Sequence, residues 1–361
     1  MKIVFDCRYT RLGRHDGISR YGARLVEELS KLHPVTMLIS DERQLEMLPD
    51  LPWIMGTDPT SAREPWISRI VNAEKPDVVF TPMQTMGPGG RTYALVTTVH
   101  DLIYYTHRTP PKNLSPALRL LWRGYHLWWG FQRSLLNKAD AHLVDSETTR
   151  DLMVEHRMSR NPMHVVLLGT EQPQETPQRS APQKKTLVYM GSFMPYKNVD
   201  LLARAMADLP GYTLQLMSRV SDGDRARLTA LAPTGSLEFF GGASDDAYEA
   251  ALKDATALVS ASRDEGFGLP VVEAQALGTP VLLNDTAIFR EIGGAPAGYF
   301  DGSSVASFVS AVRELEDPAE WKRRSAASTE WAKRYNWPDA AKQLLAVLEE
   351  TVSRRATRLR K

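Results

Sequence analysis

The stretch Glu265–Pro280, EGFGLPVVEAQALGTP, decides how the rest of the chain is read. Ahead of it, Ala257–Val259 has the length and branching of a buried strand, and it runs into the glycine-containing loop Glu265–Pro270. A helix is predicted to begin near Pro270, because proline suits a first helical turn, where its missing N–H would be unpaired in any case. Backbone N–H groups of such a loop, with a helix dipole behind them, make an anion site. Glu265 falls at the strand's carboxyl end, where open α/β sheets bind ligands. Glu273 comes early on the helix, from which a carboxylate can accept both hydroxyls of a ribose. A glycine loop alone is weak evidence; two glutamates bracketing it at a strand-to-helix junction are far more specific. The bland alternative is an exposed helix face with incidental charge.

The same strand-and-helix alternation extends in both directions. Short apolar runs occur at Lys2–Phe5, Val35–Ile39, Val78–Phe80, Ala94–Val99, Ala141–Val144 and Val165–Leu168 in the first half. Thr186–Met190, Thr213–Met217, Leu237–Phe240, Ala257–Val259 and Pro280–Leu283 follow in the second. Runs of this length between helical patterns predict buried parallel strands. Ile18, Tyr21, Leu25, Val26, Leu29 and Leu32 share one helical face after Gly17, and Ala341, Leu344, Leu345 and Leu348 share another after Pro338. Thr170–Lys184, TEQPQETPQRSAPQK, has three prolines and no apolar period, and predicts an interdomain linker. The expected fold is α/β: two doubly wound Rossmann-like domains facing each other across a cleft. Their bounds are 1–169 and 185–337, with the linker at 170–184. A helix over 338–361, with a basic tail, can cross back to the first domain.

Composition narrows the function. At 361 residues the chain is long enough for two domains, and 43% hydrophobic with 24% charged residues is ordinary globular composition. Lys plus Arg number 44 against 43 Asp plus Glu, so the net charge is +1, which makes nucleic acid an unexpected partner but leaves local basic patches open. Cys7, the single cysteine, allows no internal disulfide and no cysteine zinc site, which fits a reducing cytoplasm. MKIVFDCRYT does not read as a secretory signal, and no run of about 18 apolar residues predicts a membrane span.

Together with DGISRY at Asp16–Tyr21, VHDL at Val99–Leu102, SETTRDL at Ser146–Leu152, GSFMPYKN at Gly191–Asn198 and LEFFGGASD at Leu237–Asp245, the Glu265…Glu273 motif resembles retaining glycosyltransferases of the GT-B fold, family four. The resemblance covers nearly the whole chain. It implies that the second domain binds a nucleotide diphosphate sugar and the first binds the acceptor. It further implies that Glu273 holds the ribose diol and Glu265 the donor sugar hydroxyls. The loop Gly266, Phe267, Gly268 and Leu269 would line the donor, the last three through their amides. Lys197 would neutralise the leaving phosphate, the Gly17 amide would face the phosphates from the other domain, and His100 would touch the donor sugar. No divalent ion is expected.

The residues themselves support some of these roles. Lys197 follows a strand end by a short loop, where a flexible ammonium can meet charge developing on a departing diphosphate; an isolated surface lysine is the alternative. His100 ends the strand VTTVH at the same kind of edge, with Asp101 expected to order the loop; a satisfied structural histidine is the alternative. Gly13 and Gly17 can also be ordinary turn glycines. Many members of the family carry an arginine near Ser192 and Tyr196, and this chain does not. Arg219, after the next strand in LMSRVSDGD, is the candidate second cation, with a solvated arginine paired to Asp222 or Asp224 as the alternative. That acidic pair reads as solvated surface.

Leu102–Ala139 contains no Asp or Glu. Arg108, Lys112, Arg119, Arg123, Arg133 and Lys138 stand among aromatics, and Leu121, Trp122, Tyr125, Trp128, Trp129, Leu135 and Leu136 fall at helical spacing. Arg119, Arg123, Trp128 and Trp129 are the candidate contacts with an anionic membrane surface, assisted by the tail Ser353–Lys361. A core helix with solvated arginines is the equal alternative. The expected function is a retaining hexosyltransferase at the inner face of the membrane, with mannose from GDP-mannose as first reading and a glycan or lipid-linked acceptor. The alternatives are a UDP-sugar donor, a nucleotide-sugar epimerase or hydrolase, and an inactive nucleotide-sugar-binding partner subunit.

Overall fold

The computed structural model describes residues 1–13, 15–110, 115–173, 177 and 179–360, leaving aside the side chains of 116, 117, 125–127 and 359. The chain divides into two units, Met1–Gly169 with Asn336–Lys361, and Thr170–Tyr335.

The first unit holds a parallel sheet of β1 (Ile3–Asp6), β2 (Val35–Ile39), β3 (Trp53–Met55), β4 (Val78–Thr81), β5 (Ala94–Val99), β6 (Ala141–Val144) and β7 (Met163–Val165), in the order β3-β2-β1-β4-β5-β6-β7. β1, β4, β5 and β6 are buried along their whole length, which is why they read as continuous apolar runs. The Gly17–Leu32 helix buries Tyr21, Leu25, Val26 and Leu29, each large apolar side chain contributing about 1.5–3 kcal/mol. Asp16 caps it by accepting from Ser19 N at 2.9 Å. The Trp337–Leu359 helix, begun by Pro338 and capped by Asn336, packs on the Gly17–Leu32 helix within this unit. Gly169 admits Trp337: a Cβ there would stand 2.5 Å from its backbone nitrogen.

The second unit repeats the plan with β8 (Thr186–Tyr189), β9 (Thr213–Leu216), β10 (Leu237–Phe239), β11 (Ala257–Ser260), β12 (Val281–Asn284) and β13 (Gly298–Phe300), ordered β10-β9-β8-β11-β12-β13 and parallel throughout. In both sheets the chain progresses outward from the first strand, then returns to its other side. The reversal points, β1/β4 and β8/β11, are where such sheets open a crevice at their carboxyl edge.

Several expectations differ from what is found. β3 and β13 have three residues each and gave no apolar run long enough to stand out. The strand expected at Val165–Leu168 lies earlier, at Met163–Val165. The stretch 170–184, expected as a linker, belongs with the second unit. Gln172 Nε2 donates to the carbonyls of Ala332 and Tyr335 at 3.1 and 2.9 Å, and the Arg179 guanidinium lies 5.0 Å over the Trp321 ring. Its described residues pack on this unit without forming a helix or strand.

Candidate active site

The second unit places the signature motif at its reversal point. The loop after β8 ends in the turn Pro195–Lys197, and the loop after β11 runs through Glu265 to Gly268. The two are tied by Arg263 N donating to the Tyr196 carbonyl at 2.8 Å. Asn198 follows Lys197 with a left-handed φ of 54°, held there by its Nδ2 donating to the Gly302 carbonyl at 2.8 Å. Lys197 Nζ stands 2.5 Å from Glu265 Oε1, with side chains only 13% and 16% exposed, and 5.1 Å over the Tyr196 ring. The residues expected to meet phosphate and sugar are therefore each other's partners. Removing either would strand a half-buried charge.

Gly268 has φ +99°, a conformation open to glycine, and leads into the helix Leu269–Ala276. No side-chain cap bonds that helix, and its first turn carries no acid, so the dipole at its N-terminus favours negative charge. Gly266 and Phe267 are buried, Phe267 edge-on to Tyr335 with ring centres 5.6 Å apart, and this packing sets the loop's course. Glu273 is half-buried one turn into the helix. Gln275, fully buried, anchors the helix by donating to the Gly293 carbonyl at 2.8 Å.

Arg219 is exposed at the carboxyl end of β9 and lies against Gly242, where a Cβ would come within 2.6 Å of its Cγ. The alternative pairings are not made: Asp224 accepts from Ser221 Oγ at 2.6 Å and Arg227 at 3.0 Å, and no described ion pair includes Arg219. The acidic pair is not merely solvated surface, since Asp222 and Asp224 form the first turn of the helix Asp222–Thr229 and Asp224 is buried.

In the first unit, His100 follows β5 and donates from both ring nitrogens, through Nδ1 to Asp145 Oδ2 at 2.5 Å and through Nε2 to the Pro82 carbonyl at 2.8 Å. Both partners are acceptors, so the ring is held as an imidazolium. Burial pulls this cation's pKa down, but the Asp145 carboxylate, its hydrogen bond, the Pro82 carbonyl and Asp101 outweigh it and push the pKa up to about 9. With both N–H groups used, His100 has none left for a sugar hydroxyl; what it offers is fixed charge and its ring edge. Tyr21 meets the ring edge-on at 5.1 Å. Asp101 accepts from Ile103 N at 3.0 Å and so orders the loop. Gly17 is exposed and opens its helix, but Asp16 already brings a carboxylate to that terminus, where it also pairs with Arg11. The Arg8 guanidinium, at the β1/β4 reversal point, is engaged by Asp6, Glu64 and the Thr57 carbonyl.

Among its described residues the acid-free segment carries a short helix, Ile103–Thr106, and two longer ones, Pro116–Leu127 and Trp129–Leu136, separated at Trp128 by an extended backbone. Leu118, Leu120, Leu121, Trp128 and Phe131 are 51–70% exposed, and Arg123 is exposed beside half-buried Arg119. Trp129 is not on that face. It is stacked between Tyr105 at 4.2 Å and His156 at 4.4 Å. Lys112 and the Tyr125 side chain lie outside the described residues. No described helix is long and apolar enough to cross a membrane, and no described cluster of His, Cys, Asp and Glu could hold a metal ion.

Two parallel-sheet α/β units, each with its reversal-point crevice, define the GT-B class. A sucrose-phosphate synthase from Thermosynechococcus elongatus has this fold, with a TM-score of 0.72 and 18% identity over 98% of this chain and 100% of that one. Residues 15–171 match the family Glycosyltransferase Family 4, and residues 171–334 match Glycosyl transferases group 1. The chain belongs to the glycosyltransferases that combine these two domains. An MMP alpha-(1->4)-mannosyltransferase from Mycolicibacterium hassiacum is 27% identical over 283 residues, 73% of this chain and 66% of that one. A phosphatidyl-myo-inositol mannosyltransferase from Mycobacterium leprae is 32% identical over 181 residues, 46% of each. The alignments thus span less than two thirds of these relatives' own lengths.

Sequence reasoning missed Asp145, although HLVDSE placed an acid at the end of a strand, at the same edge as His100. It also missed Tyr196 as the ring beneath Lys197.

Proposed function

We propose that the protein is a retaining hexosyltransferase that moves mannose from GDP-mannose to a glycan or lipid-linked acceptor, with the donor on the second unit and the acceptor on the first. The observation that carries the reading is the Lys197–Glu265 pair beside an uncapped helix terminus. A diphosphate brings an anion for Lys197 and for the helix amides, while sugar hydroxyls bring donors for Glu265. Donor binding is then an exchange of partners that leaves neither buried charge alone. Glu273 accepts from the ribose diol, and Arg219 supplies the second phosphate cation by a bidentate fork.

In the reaction the bond from the anomeric carbon to the phosphate oxygen breaks, and its electrons leave with the diphosphate. The acceptor hydroxyl attacks from the same face and its proton passes to the departing phosphate oxygen, giving the glycoside and the nucleoside diphosphate. Lys197, Arg219 and the helix terminus stabilise the leaving charge. The mannose assignment is supported by the two mannosyltransferase relatives. A lipid-linked acceptor is supported by the exposed apolar side chains beside Arg119 and Arg123, a composition suited to an anionic membrane surface.

The test is incubation of purified protein with GDP-mannose and UDP-sugars, with and without membrane lipid extract. Transfer of mannose into the lipid or glycan fraction is the expected result. Release of free sugar alone, or no turnover with any donor, would overturn the reading.

A further inference from the structure

One groove of the first unit is not at the carboxyl edge of its sheet. A groove of about 1250 Å³ lies at the opposite edge, where the Trp129–Leu136 helix ends and β7 begins. Its wall carries Arg133, Arg157, Arg160, Arg354 and Arg358, and no Asp or Glu among the described residues. In a chain of net charge +1 this is a strong local segregation of charge. Arg133 is partly engaged, donating to the His156 carbonyl at 3.2 and 2.7 Å. Arg354 donates to the Asp140 carbonyl at 2.6 Å, with Glu350 3.8 Å away. Arg157, Arg160 and Arg358 are exposed and take part in no described ion pair. Arg157 stands at φ +47° just past the helix Glu147–Glu155, where glycine or asparagine is usual. The chain thus accepts backbone strain at a position that brings a guanidinium to the groove.

Guanidiniums without internal counter-ions repel one another, and an external anion relieves that repulsion. All five cations are arginines, whose planar fork matches phosphate oxygens two at a time. We propose that this groove binds a ligand carrying two or more phosphate groups, at residues distinct from those assigned to the donor. The site is built from the first unit alone and does not depend on the transferase reading. Its rim is apolar: Val154 is 56% exposed, and Trp128, 69% exposed, lies over Gly130 on the groove wall. The phosphates can therefore be free or borne by a lipid headgroup.

The experiment has two arms, run on full-length wild type and on the triple variant Arg157→Gln, Arg160→Gln, Arg358→Gln, with thermal melts confirming that the variant is folded. Inorganic tripolyphosphate is titrated while backbone amide signals are followed, and phosphatidylcholine vesicles with and without cardiolipin are tested by co-sedimentation. Tripolyphosphate is expected to shift the amides of Arg157–Asn161 and Met163, and the triple variant to lose about tenfold or more in affinity, with binding weakening as salt rises. Loss in both arms supports a phosphate site regardless of carrier. Loss only with cardiolipin vesicles assigns the lipid-borne form. Unmoved amides in that segment, together with equal vesicle binding by wild type and variant, would overturn the proposal.

Discussion

Replacing Asp145 with Asn should release His100 from its fixed charge. Asp145 Oδ2 lies 2.5 Å from His100 Nδ1, and Asp145 is itself 1% exposed, so water screens the pair little. Asn keeps the size and removes the charge, leaving burial to act against the imidazolium. In the wild type, the rise from the ordinary 6.5 to about 9 corresponds to roughly 3 kcal/mol of differential interaction. The raised folded value means that this stabilisation is fully present below about pH 6.5 and is lost as pH climbs through 9. Urea unfolding across that window should show wild-type stability falling by up to about 3 kcal/mol and the Asp145→Asn variant staying nearly flat, less stable than wild type at pH 6. Ring NMR should place the His100 titration near pH 9 in wild type and below 6.5 in the variant. His142 is a control: buried between Thr97 and Ser159, its pKa is pulled down to about 4, so it should stay neutral in both proteins. A wild-type His100 that titrates between pH 6 and 7, or a variant with the wild-type curve, would refute the reasoning.

Other substitutions separate the remaining roles. Glu265→Gln should lower turnover more than nucleotide affinity, since its proposed partner is the sugar, and steady-state kinetics beside calorimetry would show the split. Arg219→Lys and Arg219→Ala should both weaken nucleotide binding, the lysine less so; near-normal affinity and turnover in both would remove Arg219 from the site. Trp129→Ala should cost about 3 kcal/mol in chemical denaturation because it empties a stack between Tyr105 and His156. Trp128→Ala should change stability by less than about 0.5 kcal/mol while weakening binding to anionic vesicles.

Burial on both faces made the central strands legible in the sequence: β1, β5 and β12 are mostly apolar because they lie between two helical layers, where a polar side chain needs a partner. The edge strand β3, whose Trp53 and Met55 are exposed, carried no such imprint. The Glu265–Glu273 motif was legible because its glycines and proline have local conformational reasons, the left-handed Gly268 above all. The partnership of Lys197 with Glu265, 68 positions apart, and of His100 with Asp145, 45 apart, depends on strand order, which no local pattern encodes. Trp129 was placed on the wrong face because helical spacing was assumed to run unbroken through Trp128.

The proposed transferase requires that the carboxyl edge of the second sheet, with Glu273 on the uncapped Leu269–Ala276 helix, hold a nucleoside diphosphate. Calorimetric titration of GDP and UDP into wild type and a folded Glu273→Ala variant tests it most directly. Wild type is expected to bind, and the variant to lose about 1.5–3 kcal/mol, tenfold or more, as charge-assisted hydrogen bonds to the ribose diol disappear. Equal affinity in the two proteins, or no binding of either nucleotide by wild type, would contradict it.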